Sequence, residues 1–222
     1  MEKFNKLYGN DYFESRYGND KKRVDSFLKE KEFLIKNKID FNGPCCDIGC
    51  STGEFLKTIK WEGEACGMEI SDMAIEEAKK NNIIFEKNIF SEKNYFELVI
   101  FRGTIQHLPS PFEYIERSYH AIKKGGYITF LATPNANSII YKLTNKLPVL
   151  DPKLNFYIPS DITLINICQN IGFELLVIEK PYINSPYSNL IKDHIRFLGM
   201  PFIKNQKFPF WGNMMNIIFK KK

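Results

Sequence analysis

The chain contains no apolar run approaching the ~18 residues that a membrane span needs, so stable membrane insertion is not expected. Its first residues, MEKFNKLYGNDYFE, lack the apolar core of a secretory leader, and the expectation is a cytoplasmic protein. Cysteine is sparse and odd in number, five in all. Four of them, Cys45, Cys46, Cys50 and Cys66, crowd one stretch without metal-like pairing. Adjacent strand residues such as Cys45 and Cys46 face opposite ways, so a zinc site is not expected and the thiols read as small buried groups. Charge of one sign is also lacking: 31 basic against 26 acidic residues leave a formal net charge of +5. That balance carries no nucleic-acid footprint, and no nucleic-acid partner is expected. There is no internal repeat and no long linker, so the 222 residues read as one domain.

What is present is organised around Cys45 to Glu69, CCDIGCSTGEFLKTIKWEGEACGME. An apolar run ends in Asp47. A turn follows through Gly49, Cys50, Ser51, Thr52 and Gly53, then a helix-like segment and a second apolar run, Ala65 to Ile70, bearing Glu69. Glycines let a ligand come close to the main chain. An acid about 20 residues past the first glycine is placed to grip a ribose diol. The stretch predicts a site for a nucleoside-like cofactor.

Along the rest of the chain, residues 21 to 37 carry a helical pattern in Val24, Phe27, Leu28, Phe33 and Leu34. Ser71-Asp72 opens a second helix to Lys80. Ile83 to Phe85 reads as a third strand, and Phe96 to Phe101 (FELVIF) as a fourth, buried on both faces. A helix over Phe112 to Lys123 precedes Gly125-Gly126 and a fifth strand, Tyr127 to Ala132. Ser160-Asp161 caps a helix that Gly172 stops, followed by a sixth strand, Phe173 to Ile178. Met214 to Phe219 forms a last strand at or near the sheet edge. Segments 134–160 and 181–212 read as irregular insertions. The alternation predicts an α/β, doubly wound, mostly parallel seven-stranded sheet with ligands beyond the carboxyl ends of the strands.

The run Asp47-Ile48-Gly49-Cys50-Ser51-Thr52-Gly53 resembles the first motif, D-x-G-x-G-x-G, of the class I S-adenosylmethionine-dependent methyltransferases. Gly67-Met68-Glu69-Ile70-Ser71 resembles their ribose-binding second motif. Gln106-His107-Leu108 resembles the E-H-L after the fourth strand, and Ala121 to Tyr127 resembles L-K-P-G-G-x. Thr133-Pro134-Asn135 and Ile171-Gly172-Phe173 resemble a subgroup that includes quinone-pathway and sugar or surface-polysaccharide methyltransferases. The match runs over roughly residues 24 to 180. Ser51 departs from the middle glycine, Asn88 and Glu97 from aspartates, and Lys124 from proline. The rival dinucleotide reading wants G-x-G-x-x-G, and a pyrophosphate would meet Asp47 and Glu54, two like charges.

The resemblance implies a Rossmann-like fold and S-adenosylmethionine as cofactor. By it, Asp47, Gly49 and Gly53 shape the methionine side, with Cys50 and Ser51 in the loop. Glu69 accepts from both ribose hydroxyls. Ile70 packs on the adenine, with Asn88 and Ile89 at its far edge. Phe101 and Arg102 lie near the methionine amino group, and Arg102 can instead pair with the cofactor carboxylate, an acidic side chain or an anionic substrate. His107 is the candidate general base, weighed evenly against a backbone-ordering loop histidine. Candidate substrate contacts are Tyr12, Arg16 and Tyr17 in an N-terminal arm (1–23), and Tyr187, His194 and Arg196 in the second insertion. The arm reads as packing on the domain or as a lid over a ligand, and the insertions would form a cap.

Four functions compete. The first is an O-methyltransferase for a small polar or anionic metabolite, such as a phosphorylated or nucleotide-linked sugar of surface-polysaccharide assembly. A quinone or lipid-precursor methyltransferase is the second; the aromatics of 181–212 suit it too. The third is an RNA base methyltransferase, but the amino-directed members carry N/D-P-P-Y/F where this chain has Arg102-Gly103-Thr104-Ile105. The last is a non-catalytic cofactor-binding scaffold.

Overall fold

The computed structural model describes residues 21–145, 147, 155–181, 185–186, 188–199 and 212–222. The chain runs through α1 (Lys21–Lys36), β1 (Cys45–Ile48), α2 (Glu54–Ile59), β2 (Ala65–Met68), α3 (Asp72–Lys80) and β3 (Phe96–Arg102). A single 3-10 turn follows at Ile105–His107. Then come α4 (Pro111–Ala121), β4 (Ile122–Pro134), α5 (Ile139–Thr144), α6 (Asp161–Ile171), β5 (Phe173–Glu179), α7 (Leu190–Gly199) and β6 (Met214–Lys221).

The strands form one sheet in the order β2-β1-β3-β4-β6-β5. β1 pairs in parallel with β2 and β3, and β3 with β4. β6 runs antiparallel to both β4 and β5. The last strand therefore sits one place in from the edge, and β5 is the edge. The doubly wound, mostly parallel architecture is as the alternation predicts, with six strands among the described residues in place of seven. The expected third strand, Ile83 to Phe85, makes only an isolated bridge between Cys66 and Ile84. Two main-chain bonds hold it: Ile84 N–H to Ala65 O and Gly67 N–H to Ile84 O. The insertions also differ from the irregular expectation, since 134–160 contains α5 and 181–212 contains α7.

β1 and β3 are buried along their lengths, and successive residues feed opposite faces of the sheet. Cys46, Val99 and Phe101 join one apolar cluster. Cys45, Leu98 and Ile100 join the other. Each such side chain contributes about 1.5–3 kcal/mol on burial, and this fixes the strand ends that carry the site. The five cysteines are all buried and unbridged. At the far end of β4, Asn135 ties three segments together. Its N–H donates to Asn213 O, and its Oδ1 accepts from the N–H groups of Asn137 and Asp161.

Candidate cofactor and active site

β1, β2 and β3 are parallel, so their carboxyl ends open on the same side. The turn leaving β1 alternates in backbone hand: Gly49, Ser51 and Gly53 have φ of 73°, 52° and 72°. Met68 O at the end of β2 accepts from the N–H groups of Gly49 (2.7 Å) and Cys50 (3.2 Å). Glycine is required at position 49 on two counts. Its φ is positive, and a Cβ there would lie 2.6 Å from Cγ2 of Thr104, which packs over the turn from the β3 side. At Gly53 a Cβ would lie 2.5 Å from Ile83 Cγ1.

Glu69 closes the turn from the β2 side. Its Oε2 accepts from Ser51 N–H (3.0 Å), and its Oε1 accepts from the N–H groups of Ile70 (2.7 Å) and Ser71 (3.0 Å). An ionised carboxylate offers about four acceptor positions. Three are filled here, so a diol bound at Glu69 competes with one of the amides. Ile70, next in the chain, is 54% exposed at the strand end and presents a flat aliphatic surface.

Asp47 lies beneath the turn, 2% exposed, and its Oδ1 has no hydrogen-bond donor. Burial pushes its carboxyl up to about 7, opposed by the charge of Arg102 and helped by the negative charges of Glu69 and Glu30. A buried acceptor left without a donor costs about 1–3 kcal/mol, so the site suits a ligand that brings positive charge or N–H groups.

Arg102 takes the acidic-side-chain option. Its Nε and Nη2 donate to Glu30 Oε2 (2.6 Å) and Oε1 (3.2 Å), a two-pronged pair. The guanidinium also lies over the rings of Phe27 (4.2 Å) and Phe55 (5.3 Å). Glu30 is 4% exposed on the face of α1 that buries Phe27, Phe33 and Leu34. Ser26 Oγ donates to it as well. Glu30 was not among the candidates, although its place three residues past Phe27 and four before Leu34 puts a carboxylate on the apolar stripe.

The remaining candidates fall in several places. Phe101 is buried in the core, its ring stacked on Phe130 at 5.2 Å. Ile89 is likewise a core residue. Asn88 Oδ1 accepts from Phe90 N–H and caps its own turn. Cys50 is buried, and its thiol is raised by burial and by the neighbouring charge of Asp47. His107 ends the 3-10 turn that follows β3, and Gln106 Nε2 lies 3.2 Å from His107 Nε2. The main-chain O of Gln106 accepts from the N–H groups of Phe156 (2.9 Å) and Tyr157 (3.3 Å), joining the end of the first insertion to this turn. His194 and Arg196 lie on α7 and are engaged within it: His194 Nδ1 is 2.7 Å from Leu190 O, and Arg196 pairs with the buried Asp193. Tyr12, Arg16, Tyr17 and Tyr187 lie outside the described residues. Among the described residues no group of three or more His, Cys, Asp or Glu side chains is placed to hold a metal.

A family described as a methyltransferase domain matches residues 21–178. Two tRNA U34 carboxymethyltransferases of Helicobacter pylori are 27% and 26% identical over 157 residues, 64% of this chain and 60% of each relative. The chain thus spans about three-fifths of the length of these curated relatives. Among solved structures, a SAM-dependent methyltransferase of Thermotoga maritima superposes with a TM-score of 0.65 at 21% identity, covering 100% of both chains. One of Archaeoglobus fulgidus gives 0.62 at 24% identity, with 88% of this chain and 95% of that one covered. The magnesium protoporphyrin IX methyltransferase of Synechocystis, solved with bound SAH, gives 0.66 at 12% identity over 100% and 99%.

Proposed function

Because the chain belongs to the methyltransferase domain family and takes S-adenosylmethionine as its cofactor, we propose that it is an O-methyltransferase. The acceptor in this reading is a small polar or anionic metabolite, such as a phosphorylated or nucleotide-linked sugar of surface-polysaccharide assembly. The observation that carries the cofactor half is the placement of Asp47, a buried carboxylate whose Oδ1 lacks a donor, and Glu69 on either side of a turn of alternating hand. When bound, S-adenosylmethionine supplies an electrophilic methyl group on a sulfonium sulfur. The protein's own work is then alignment and exclusion of water, and positioning alone can lower a barrier by several kcal/mol. Asp47 offers negative charge on the methionine side, Glu69 accepts from the ribose, and Ile70 covers the adenine. We assign the acceptor to the space beside the turn at Ile105–His107, to which Phe156 and Tyr157 of the first insertion are bonded.

A second reading has a specific observation behind it. The curated relatives act on tRNA, and a nucleic-acid acceptor here would be presented to the same face of the sheet. The two are separated by one set of assays. Calorimetric titration with S-adenosylhomocysteine should give micromolar affinity, weakened at least tenfold (about 1.4 kcal/mol) by Glu69→Ala. Methyl-labelled cofactor is then offered with phosphorylated sugars, nucleotide sugars and bulk tRNA. Label in the sugar fraction supports the first reading, and label in tRNA alone replaces it with the second. Absence of binding by folded wild type would remove both.

A further inference from the structure

The orientation of the Gln106 amide decides the chemistry of His107. Gln106 Nε2 lies 2.8 Å from Gly103 O and 3.2 Å from His107 Nε2. With the amide reversed, Oε1 would face the Gly103 carbonyl at that short distance, two acceptors with no proton between them. The Gly103 carbonyl therefore selects the orientation in which the amide nitrogen faces it. That nitrogen carries two hydrogens. One goes to Gly103 O, and the other is directed at His107 Nε2. A ring nitrogen that meets a donor must present its lone pair, so the proton of the neutral imidazole resides on Nδ1.

Gln106 has little freedom to release this contact. The residue is 4% exposed. Its main-chain O is held by the amides of Phe156 and Tyr157, so the backbone is fixed from the side of the first insertion. Its Oε1 is buried without a donor.

We infer that Gln106 is a positioning residue that locks His107 as the neutral Nδ1–H tautomer, so that His107 does not act as a general base through Nε2. A general base needs a lone pair turned toward the proton it takes, and the Nε2 lone pair is turned toward Gln106. This consequence for catalysis rests on the methyl-transfer reading, whereas the tautomer does not.

The chain has three histidines, so the test is direct. The protein is labelled with ¹⁵N in its histidine rings, and His107→Gln identifies the His107 signals. In wild type at mildly alkaline pH the two-bond ¹⁵N–¹H pattern should show a protonated Nδ1 and a pyridine-like Nε2. Gln106→Met keeps the side-chain length and deletes both donors, and it should release His107 to the Nε2–H form or a mixture. A wild-type Nε2–H signal, or an Nδ1–H signal unmoved by Gln106→Met, would overturn the inference. Should the variant fail to fold, the wild-type spectrum still decides, because Nε2–H is incompatible with the amide orientation. Loss of cofactor binding in the calorimetric test would sink the methyl-transfer reading and leave the tautomer result standing, so the two failures are told apart.

Discussion

The two sides of the sheet are built to different standards. On the side of β2, β1 and β3, all strands are parallel, the two inner ones are buried but for Arg102, and the candidates Glu69, Asp47 and Arg102 lie at or next to the carboxyl ends. On the side of β4, β6 and β5, the pairing turns antiparallel, and the edge strand β5 leaves Leu176 exposed. Its later helices do the same. Ile139 and Leu143 on α5, and Ile191, Ile195 and Leu198 on α7, are each more than half exposed. The first side is constrained at its strand ends by backbone hand and buried charge, whereas the second presents scattered aliphatic side chains.

The sharpest way to break this contrast is to attack the ion pair that ties α1 to the end of β3. Removing one partner of a buried pair costs about 3–5 kcal/mol. Glu30 is almost wholly buried, while the side chain of Arg102 keeps 21% exposure, and solvent at its edge screens part of the loss. Glu30→Ala is expected to lower unfolding stability by about 3 kcal/mol in urea titration, with a smaller loss for Glu30→Gln, which keeps one acceptor. A loss below ~1 kcal/mol would show that the rings of Phe27 and Phe55 suffice to hold the guanidinium.

The same contrast explains what could be read from residues alone. The strand, turn, helix and strand from Cys45 to Met68 were legible because the backbone hand of the turn demands glycine at Gly49 and Gly53. The partner of Arg102 was not, because Glu30 lies 72 positions away and nothing local links them. The short run Ile83 to Phe85 has strand-like composition, yet only Ile84 reaches β2, and a strand needs a ladder. Asn82 just ahead has a positive φ of 63°, which starts the run from a turn. α7 was hidden by the aromatic and proline-bearing stretch around it, although Leu190, Ile191, Ile195 and Leu198 recur at helical spacing. His107 was legible as a candidate and not as a chemical state, since its tautomer depends on which way one amide faces.

A second test concerns pH and belongs to the cofactor side. The folded carboxyl of Asp47 is raised from its ordinary value to about 7, so between those limits the folded state holds a proton that the unfolded state has released. Stability from this group is present at low pH and falls as pH rises toward 7, then stays level. Ligand affinity should run the other way. The ammonium group of S-adenosylhomocysteine favours the ionised carboxylate, so binding below pH 7 must expel the proton. Affinity is expected to rise by up to about tenfold per pH unit from 5.5 to 7, with proton release measurable from calorimetry in buffers of different ionisation heat. Asp47→Asn should flatten the profile. A flat profile in wild type would mean that Asp47 is ionised before the ligand arrives.

The smallest effect is the most discriminating for the turn itself. Ser51 stands where the family motif has glycine, with a φ of 52° and an Oγ that is buried and unpartnered. A side chain in that conformation costs about 1–2 kcal/mol, and the orphaned hydroxyl adds to it. Ser51→Gly removes both and returns about 0.5–1 kcal/mol to the unfolded chain as entropy. The net expectation is a gain of about 1 kcal/mol in unfolding stability. The Ser51 hydroxyl has no partner among the described residues, and the expectation is that it serves a bound cofactor. The variant should therefore bind S-adenosylhomocysteine several-fold more weakly while unfolding at higher urea. Higher stability with unchanged affinity would assign the serine no part in holding the cofactor. The turn would then tolerate serine because Glu69, through the Ser51 amide, already holds the backbone in the required hand.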